Sequence, residues 1–186
     1  AKAMRHDFRH HMQNLALLLR QEKPQEAEHY IEEFIHSLDT ASQIDFCPHV
    51  TVNAILNNFY NRTQKEGIAV SVTAEVPEDT AIADMDFVAI LSNLLENAIQ
   101  ASVKTEPARR KINVEVYPHH NHLLLIHVEN TFDGKIQQKN NIFQSSKRSG
   151  NGIGIESVRH ITDKNGGACD FTYKDGIFSA KIMLRI

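Results

Sequence analysis

Between Lys2 and Gln21 the apolar positions Phe8, Met12, Leu15, Leu18 and Leu19 fall at near-helical intervals, and the segment predicts an amphipathic helix. Pro24 marks its end. A second stripe follows in Ala27, Tyr30, Ile31, Phe34, Ile35 and Leu38, set against Glu26, Glu28, Glu32 and Glu33. Pro24 suits the first turn of this second helix, where its missing amide donor costs nothing. Two helices joined by so short a link pack antiparallel, and a hairpin this small leaves apolar surface open. A second copy of the chain would complete the core as a four-helix bundle. Residues 39–49 read as a linker between this hairpin, 1–38, and a second domain, 50–186.

In the second domain helix and strand periods alternate. Val50 to Glu66 predicts a helix stopped by Gly67. Ile68, Val70, Val72, Ala74 and Val76 alternate as in a strand. Asp84 is placed to cap a long helix running to about Val103, with Phe87, Ile90, Leu91, Leu94, Leu95 and Ala98 on its buried side. Strands are expected over Lys111 to Tyr117 and Leu123 to Glu129, joined by a His- and Asn-rich turn. Residues 131 to 151 have no clear period, and a loop that long in a compact domain is usually functional. Gly152 to Asn165 can form a helix, and Ala168 to Tyr173 with Ile177 to Arg185 a closing hairpin around Lys174, Asp175 and Gly176. The expected class is therefore α+β: a helical hairpin, then an α/β sandwich with one mixed sheet covered by helices on one face.

Composition removes several alternatives. With 41% hydrophobic and 23% charged residues among 186, the chain can bury a real core and is not a disordered segment. Its formal net charge of −3 provides no basic field for the phosphates of a nucleic acid. Cys47 and Cys169 lie far apart without metal-ligand spacing, as in a reduced, cytoplasmic protein. No apolar run approaches the roughly 20 residues of a membrane-spanning helix. The abrupt start in a polar, helix-like stretch suggests a piece of a longer protein, so a membrane anchor would lie in segments ahead of it.

Two clusters carry candidate chemistry. Gly150, Gly152 and Gly154 precede and open a helix, where small residues let backbone approach a polyphosphate and exposed amides face its charge. A bland glycine-rich helix start would look the same. In the long helix, NLLENAIQAS sets Asn93, Glu96 and Asn97 at spacings of three and four, on one side of an otherwise apolar element. Asn97 could give its side-chain oxygen to Mg²⁺, and Glu96 could orient or deprotonate an attacking group. A solvated polar stripe is the plain alternative. Lys147 and Arg148, just before the glycines, could reach phosphate oxygens or simply keep a loop soluble. His119, His120 and His122 read as a solvated turn.

These boxes together resemble the GHKL superfamily, the Bergerat ATPase fold shared by gyrase, heat-shock protein 90, MutL and histidine kinases. Asn93 to Asn97 with Ala98 matches the N box, Phe143 the F box, and Gly150 to Gly154 with Ile155 the G2 box, while Val128 to Gly134 lies where the G1 box should be. The resemblance covers about residues 50 to 186. It implies ATP and Mg²⁺, with the phosphates on the glycines and the adenine amino group on the G1 aspartate. Here that aspartate is Asn130, whose amide oxygen can accept the same hydrogen bond without the charge, and the middle glycine is Phe132. Asparagine at this place is similar to the quorum-sensing and citrate-sensor kinases.

The stretch RHDFRHHMQNL then resembles the phospho-acceptor box of peptide-sensing kinases and of the sporulation-type phosphotransferase, with His6 the acceptor and Asp7 its orienting carboxylate. His10, where relatives carry asparagine, and His11 are rivals, and His6 with His10 could also share an adventitious metal ion. The resemblance implies a sensor histidine kinase that phosphorylates itself from ATP, as a homodimer, and passes the phosphoryl group to an aspartate of a response regulator. A phosphorelay or scaffold protein with a degenerate nucleotide site is the main alternative. An ATP-driven clamp fits less well, because a short His-bearing hairpin comes first and no transducer domain follows.

Overall fold

The structure is a computed structural model, and it describes residues 20, 24, 26–27, 31, 44–120, 122–134, 138–139, 142–143 and 153–186. The chain divides into two compact units, Ala1–Ile44 and Asp45–Ile186. In the first, the described residues Arg20, Pro24, Glu26, Ala27 and Ile31 are helical, Ala27 is buried, and Ile31 is 42% exposed.

The second unit is built on a five-stranded mixed sheet. Strands β1 (Ala69–Ala74), β2 (Lys111–Pro118), β3 (Leu123–Thr131), β6 (Ala168–Lys174) and β7 (Ile177–Arg185) lie in the order β1-β2-β3-β7-β6. Only β1 and β2 are parallel; every other pair in this sheet is antiparallel. The parallel pair needs a crossover, which helix α2 (Asp84–Ser102) supplies. Helix α1 (Val50–Lys65) packs beside α2 and against β1, and α3 (Ile153–Lys164) lies on the other side of α2, against β6 and β7.

Period-two burial explains which face the helices cover. In β2 and β3, Ile112, Val114, Val116, Leu124, Ile126 and Val128 are all buried, whereas Asn113, Glu115, Leu125 and His127 between them are only half-buried. Onto the buried rows α2 sets Phe87, Ile90, Leu91, Leu94, Leu95 and Ala98, the stripe expected from its sequence, while Val52, Leu56 and Phe59 of α1 join the same core. On the face opposite these helices His127 bridges β2 and β7: Nδ1 is 3.1 Å from Glu115 Oε2, and Nε2 is 2.9 Å from Ser179 Oγ. The β6–β7 connection is reduced to Asp175 and Gly176, both at positive φ, the conformation that a two-residue hairpin turn requires.

Three local expectations change. Asp84 is not the cap of α2: Ala83 holds that position without a side-chain bond, and Asp84 is the first helical residue. Its carboxylate instead accepts from Thr51 Oγ1 of α1 at 2.8 Å, while its charge still suits a helix N-terminus. Strand β1 is shorter than the alternating run, since Ile68 and Val76 are buried beyond its ends. Within the aperiodic stretch the two-residue strands β4 (Gln138–Lys139) and β5 (Ile142–Phe143) pair antiparallel. That is too short a repeat for a hydrophobic pattern to reveal.

Helix ends leave carbonyls without intrahelical partners. Arg110, entering β2, meets this need for two helices at once: Nη1 donates to Glu66 O at 2.9 Å beyond α1, and Nη2 to Val103 O at 3.0 Å beyond α2. Hydrogen bonds from a charged donor contribute more than neutral ones, so Arg110→Met should lower the unfolding free energy by about 1–3 kcal/mol. The check is urea denaturation, with the midpoint falling and the slope unchanged.

Candidate functional site

The site is assembled where α3 begins against the middle of α2. A Cβ built on Gly154 would lie 3.0 Å from Asn93 Oδ1 and 3.5 Å from Asn97 Nδ2. A larger residue would crowd the Asn93 amide, which would have to give by a few tenths of an ångström. The glycine of one cluster and the asparagines of the other are therefore brought together, although nearly 60 positions separate them in the chain. Asn93 is half-buried, and its Nδ2 donates to Ala89 O of its own helix at 2.7 Å, which leaves Oδ1 turned toward Gly154. Asn97, one turn on, is exposed, and among the described residues its side chain makes no hydrogen bond.

Glu96 departs from this pair. Its carboxylate is turned toward α1, where Oε2 accepts from Arg62 Nη1 at 2.7 Å and Oε1 accepts from Gln100. Burial pushes this carboxyl up, but the hydrogen bonds it accepts, that from Arg62 foremost and that from Gln100 among them, together with the guanidinium charge, outweigh it and hold the group below the ordinary glutamate value. Glu96 is thus a firmly ionised group and a weak base. Sequence reasoning missed Arg62, because its partner lies on another helix and spacing along one helix carries no signal of it.

Asn130 ends the inner row Leu124, Ile126, Val128 of β3, so the one polar side chain of that row sits on the helix-covered face. It is 4% exposed, and its Nδ2 donates to Thr131 O at 2.8 Å, leaving Oδ1 as an acceptor. Thr131 and Ser102 tie this end of β3 to the last turn of α2, with Thr131 Oγ1 accepting from Lys111 N at 3.1 Å and lying 3.4 Å from Ser102 Oγ. Phe132 packs outward: its N–H donates to Gly176 O at 3.0 Å, and its ring stands edge-on to Tyr173. His6, Asp7, His10, His11, Lys147, Arg148, Gly150 and Gly152 lie outside the described residues, and so does the side chain of Phe143.

The residues present fit a nucleotide with a hard cation. Asn97 is exposed, its side-chain amide carries the kind of oxygen donor Mg²⁺ takes, and the start of α3 comes close to it at Gly154. Among the described residues no group of three or more His, Cys, Asp or Glu is arranged to hold a metal ion, so a cation here would depend on phosphate oxygens for most of its ligands. No described helix is long and apolar enough to cross a membrane.

The pairing of Glu96 has a consequence for stability. Because its folded pKa is depressed, the stabilisation it provides is complete above the ordinary value of 4.5 and is lost as pH falls through the folded value. Urea midpoints of the native protein and Glu96→Gln should therefore differ most near neutrality and converge in acid. A gap that stays constant down to the folded pKa would contradict the assignment.

Comparison with known proteins agrees with this geometry. The family profile described as a GHKL domain matches residues 82–185. No curated protein matches the chain. Among solved structures, the catalytic domain of histidine kinase ThkA in a nucleotide-free form superposes with a TM-score of 0.56 at 18% identity, covering 73% of this chain and 90% of that one. The mycobacterial sensor histidine kinase MprB gives 0.54 at 17% identity, over 73% and 93%. The Acinetobacter baumannii histidine kinase AdeS gives 0.56 at 15% identity, over 97% of each chain. At such identities the likeness is one of fold, and the family match extends over more than half of the sequence: the chain belongs to the GHKL family, with an α+β domain folded like the catalytic domain of a histidine kinase.

Proposed function

We propose that this protein is a sensor histidine kinase of the quorum-sensing and sporulation-phosphotransferase-like branch, which phosphorylates His6 from ATP and passes the group to an aspartate of a response regulator. The observation that carries the reading is Gly154 set against Asn93 and Asn97, which joins a phosphate-cradling helix start to an exposed amide suited to a hard cation. In this reading ATP lies between α2 and the 131–151 segment. Asn97 would hold Mg²⁺, and Asn93, Lys147, Arg148 and the amides around Gly150, Gly152 and Gly154 would surround the phosphates. The acceptor oxygen of Asn130 would meet the adenine amino group. When bound, Mg²⁺ supplies neutralisation of phosphate charge; the protein's own part is positioning.

A ring nitrogen of His6 attacks the γ-phosphorus in line. The P–N bond forms as the bond to the bridging oxygen breaks, ADP leaves, and Asp7 stabilises the positive charge that develops on the ring. Of the two roles open to Glu96, its pairing with Arg62 favours orienting over deprotonating. The domain plan that goes with this function is a hairpin over 1–38, a linker over 39–49 and an ATP-binding domain over 50–186. Ile31, on the expected apolar stripe yet 42% exposed, supports a homodimer completed through the hairpin. Cytoplasmic placement, with any membrane anchor ahead of residue 1, completes the proposal.

Asn130 and Phe132 favour a second reading, a phosphorelay scaffold with a decayed site. Against it, Phe132 packs on the β6–β7 hairpin. A thermal shift with millimolar ATP and Mg²⁺ separates the two, since a ligand bound only by the folded state raises its stability. With γ-labelled ATP, Asn97→Ala should abolish labelling while the fold persists. His6→Gln should lose the acid-labile phosphate and keep nucleotide binding. Normal labelling of His6→Gln would move the acceptor to His10 or His11.

A further inference from the structure

Helix α1 carries none of the residues placed around the nucleotide, yet it grips the helix that does. Arg62 reaches across to α2 and donates from Nη1 to Glu96 Oε2 at 2.7 Å. Glu96 directly precedes Asn97 and follows Asn93 by three positions, so the grip falls in the middle of the asparagine stripe. Gln100, one turn further on, holds the second carboxylate oxygen. The side chain of Glu96 is 9% exposed and that of Arg62 36%, so the anion is the enclosed partner and the guanidinium closes it off from solvent. An enclosed carboxylate does not give up a charge-assisted hydrogen bond of this kind cheaply.

The same two helices are linked again near their N-termini, where Thr51 Oγ1 donates to Asp84 Oδ2 at 2.8 Å. Two polar links on one helix pair oppose rolling of α2 about its own axis, which apolar packing alone resists weakly. Successive side chains of a helix are about 100° apart, so a roll of a fraction of that angle would swing Asn93 off Gly154 and change where Asn97 points.

We propose that Arg62 is a positioning residue for the nucleotide site: by holding Glu96 against α1 it sets the rotation of α2 at which Asn93 meets Gly154 and Asn97 faces outward. This rests on the reading of the site as one for ATP and Mg²⁺. Arg62 touches neither ligand; it acts through Glu96.

The test is a double-mutant cycle on the full chain, with Arg62→Met, Glu96→Gln and the pair, plus Arg62→Lys as the conservative variant. Each is measured for Mg·ATP affinity by titration calorimetry and for stability in urea. Contacting residues couple, so Arg62→Met should weaken Mg·ATP binding by about threefold to thirtyfold, and the double variant should bind no worse than the weaker single one. Arg62→Lys should recover most of the affinity. Coupling seen in the urea midpoints but absent from the nucleotide affinities would reduce the pair to packing and overturn the proposal, as would native affinity in Arg62→Met. If Arg62→Met does not fold, Arg62→Ala, which also removes the donor, takes its place in the cycle under the same criteria. Failure of the unaltered chain to bind ATP at all would strike the nucleotide reading itself, and is scored on the native protein before any variant is compared.

Discussion

Helix α2 must bury an apolar flank against the sheet while carrying two amides and a carboxylate near its centre, and the candidate site follows from how it meets that constraint. A polar group removed from water has to find a partner or remain at the boundary. Each of the three does something different. Asn93 turns its donor back onto the carbonyl of Ala89, Glu96 accepts from Arg62 of α1, and Asn97 stays in solvent. The acceptor of Asn93 and the whole amide of Asn97 are therefore what α2 presents to α3. The complementary constraint is on α3, where glycine at position 154 leaves the amide of Asn93 room that even a single added methyl group would crowd.

Much of the architecture was legible in the sequence because it depends on local periods. The α2 stripe from Phe87 to Ala98 is buried residue for residue, and the strands expected over Lys111 to Tyr117 and Leu123 to Glu129 are present, each slightly longer. The closing hairpin around Lys174, Asp175 and Gly176 was visible too, with the first strand running one residue further, through Lys174, and the turn reduced to Asp175 and Gly176. What could not be read are pairings between distant positions. Arg62 with Glu96, Thr51 with Asp84, and Arg110 with the ends of two helices each join side chains whose spacing is set by the tertiary fold. Asp84 shows how such a partner can override a local preference: the residue best suited to cap α2 instead stands inside it and serves α1.

The same division holds for the site. The two clusters of candidate residues were visible separately, as glycines before a helix and as amides along one. That they touch is a fact of packing, and it turns two weak patterns into one arrangement. Glu96 was grouped with the asparagines by spacing alone, but a helix has more than one polar flank, and three positions from Asn93 lead to α1 while four lead to α3. Asn130 was placed by its resemblance to a family box; the structure adds that its donor is already occupied by Thr131.

The strand order carries a consequence for how the molecule is made. β7 is the last strand of the sheet to be synthesised, yet it lies inside, between β3 and β6. Until it has left the ribosome, β3 exposes an unpaired edge, and β6 has no neighbour in the sheet. This unit cannot close during translation by adding strands one after another. A nascent chain stalled before Ile177 would present a ready template for aggregation, which makes the final hairpin the step that commits the domain to its native state.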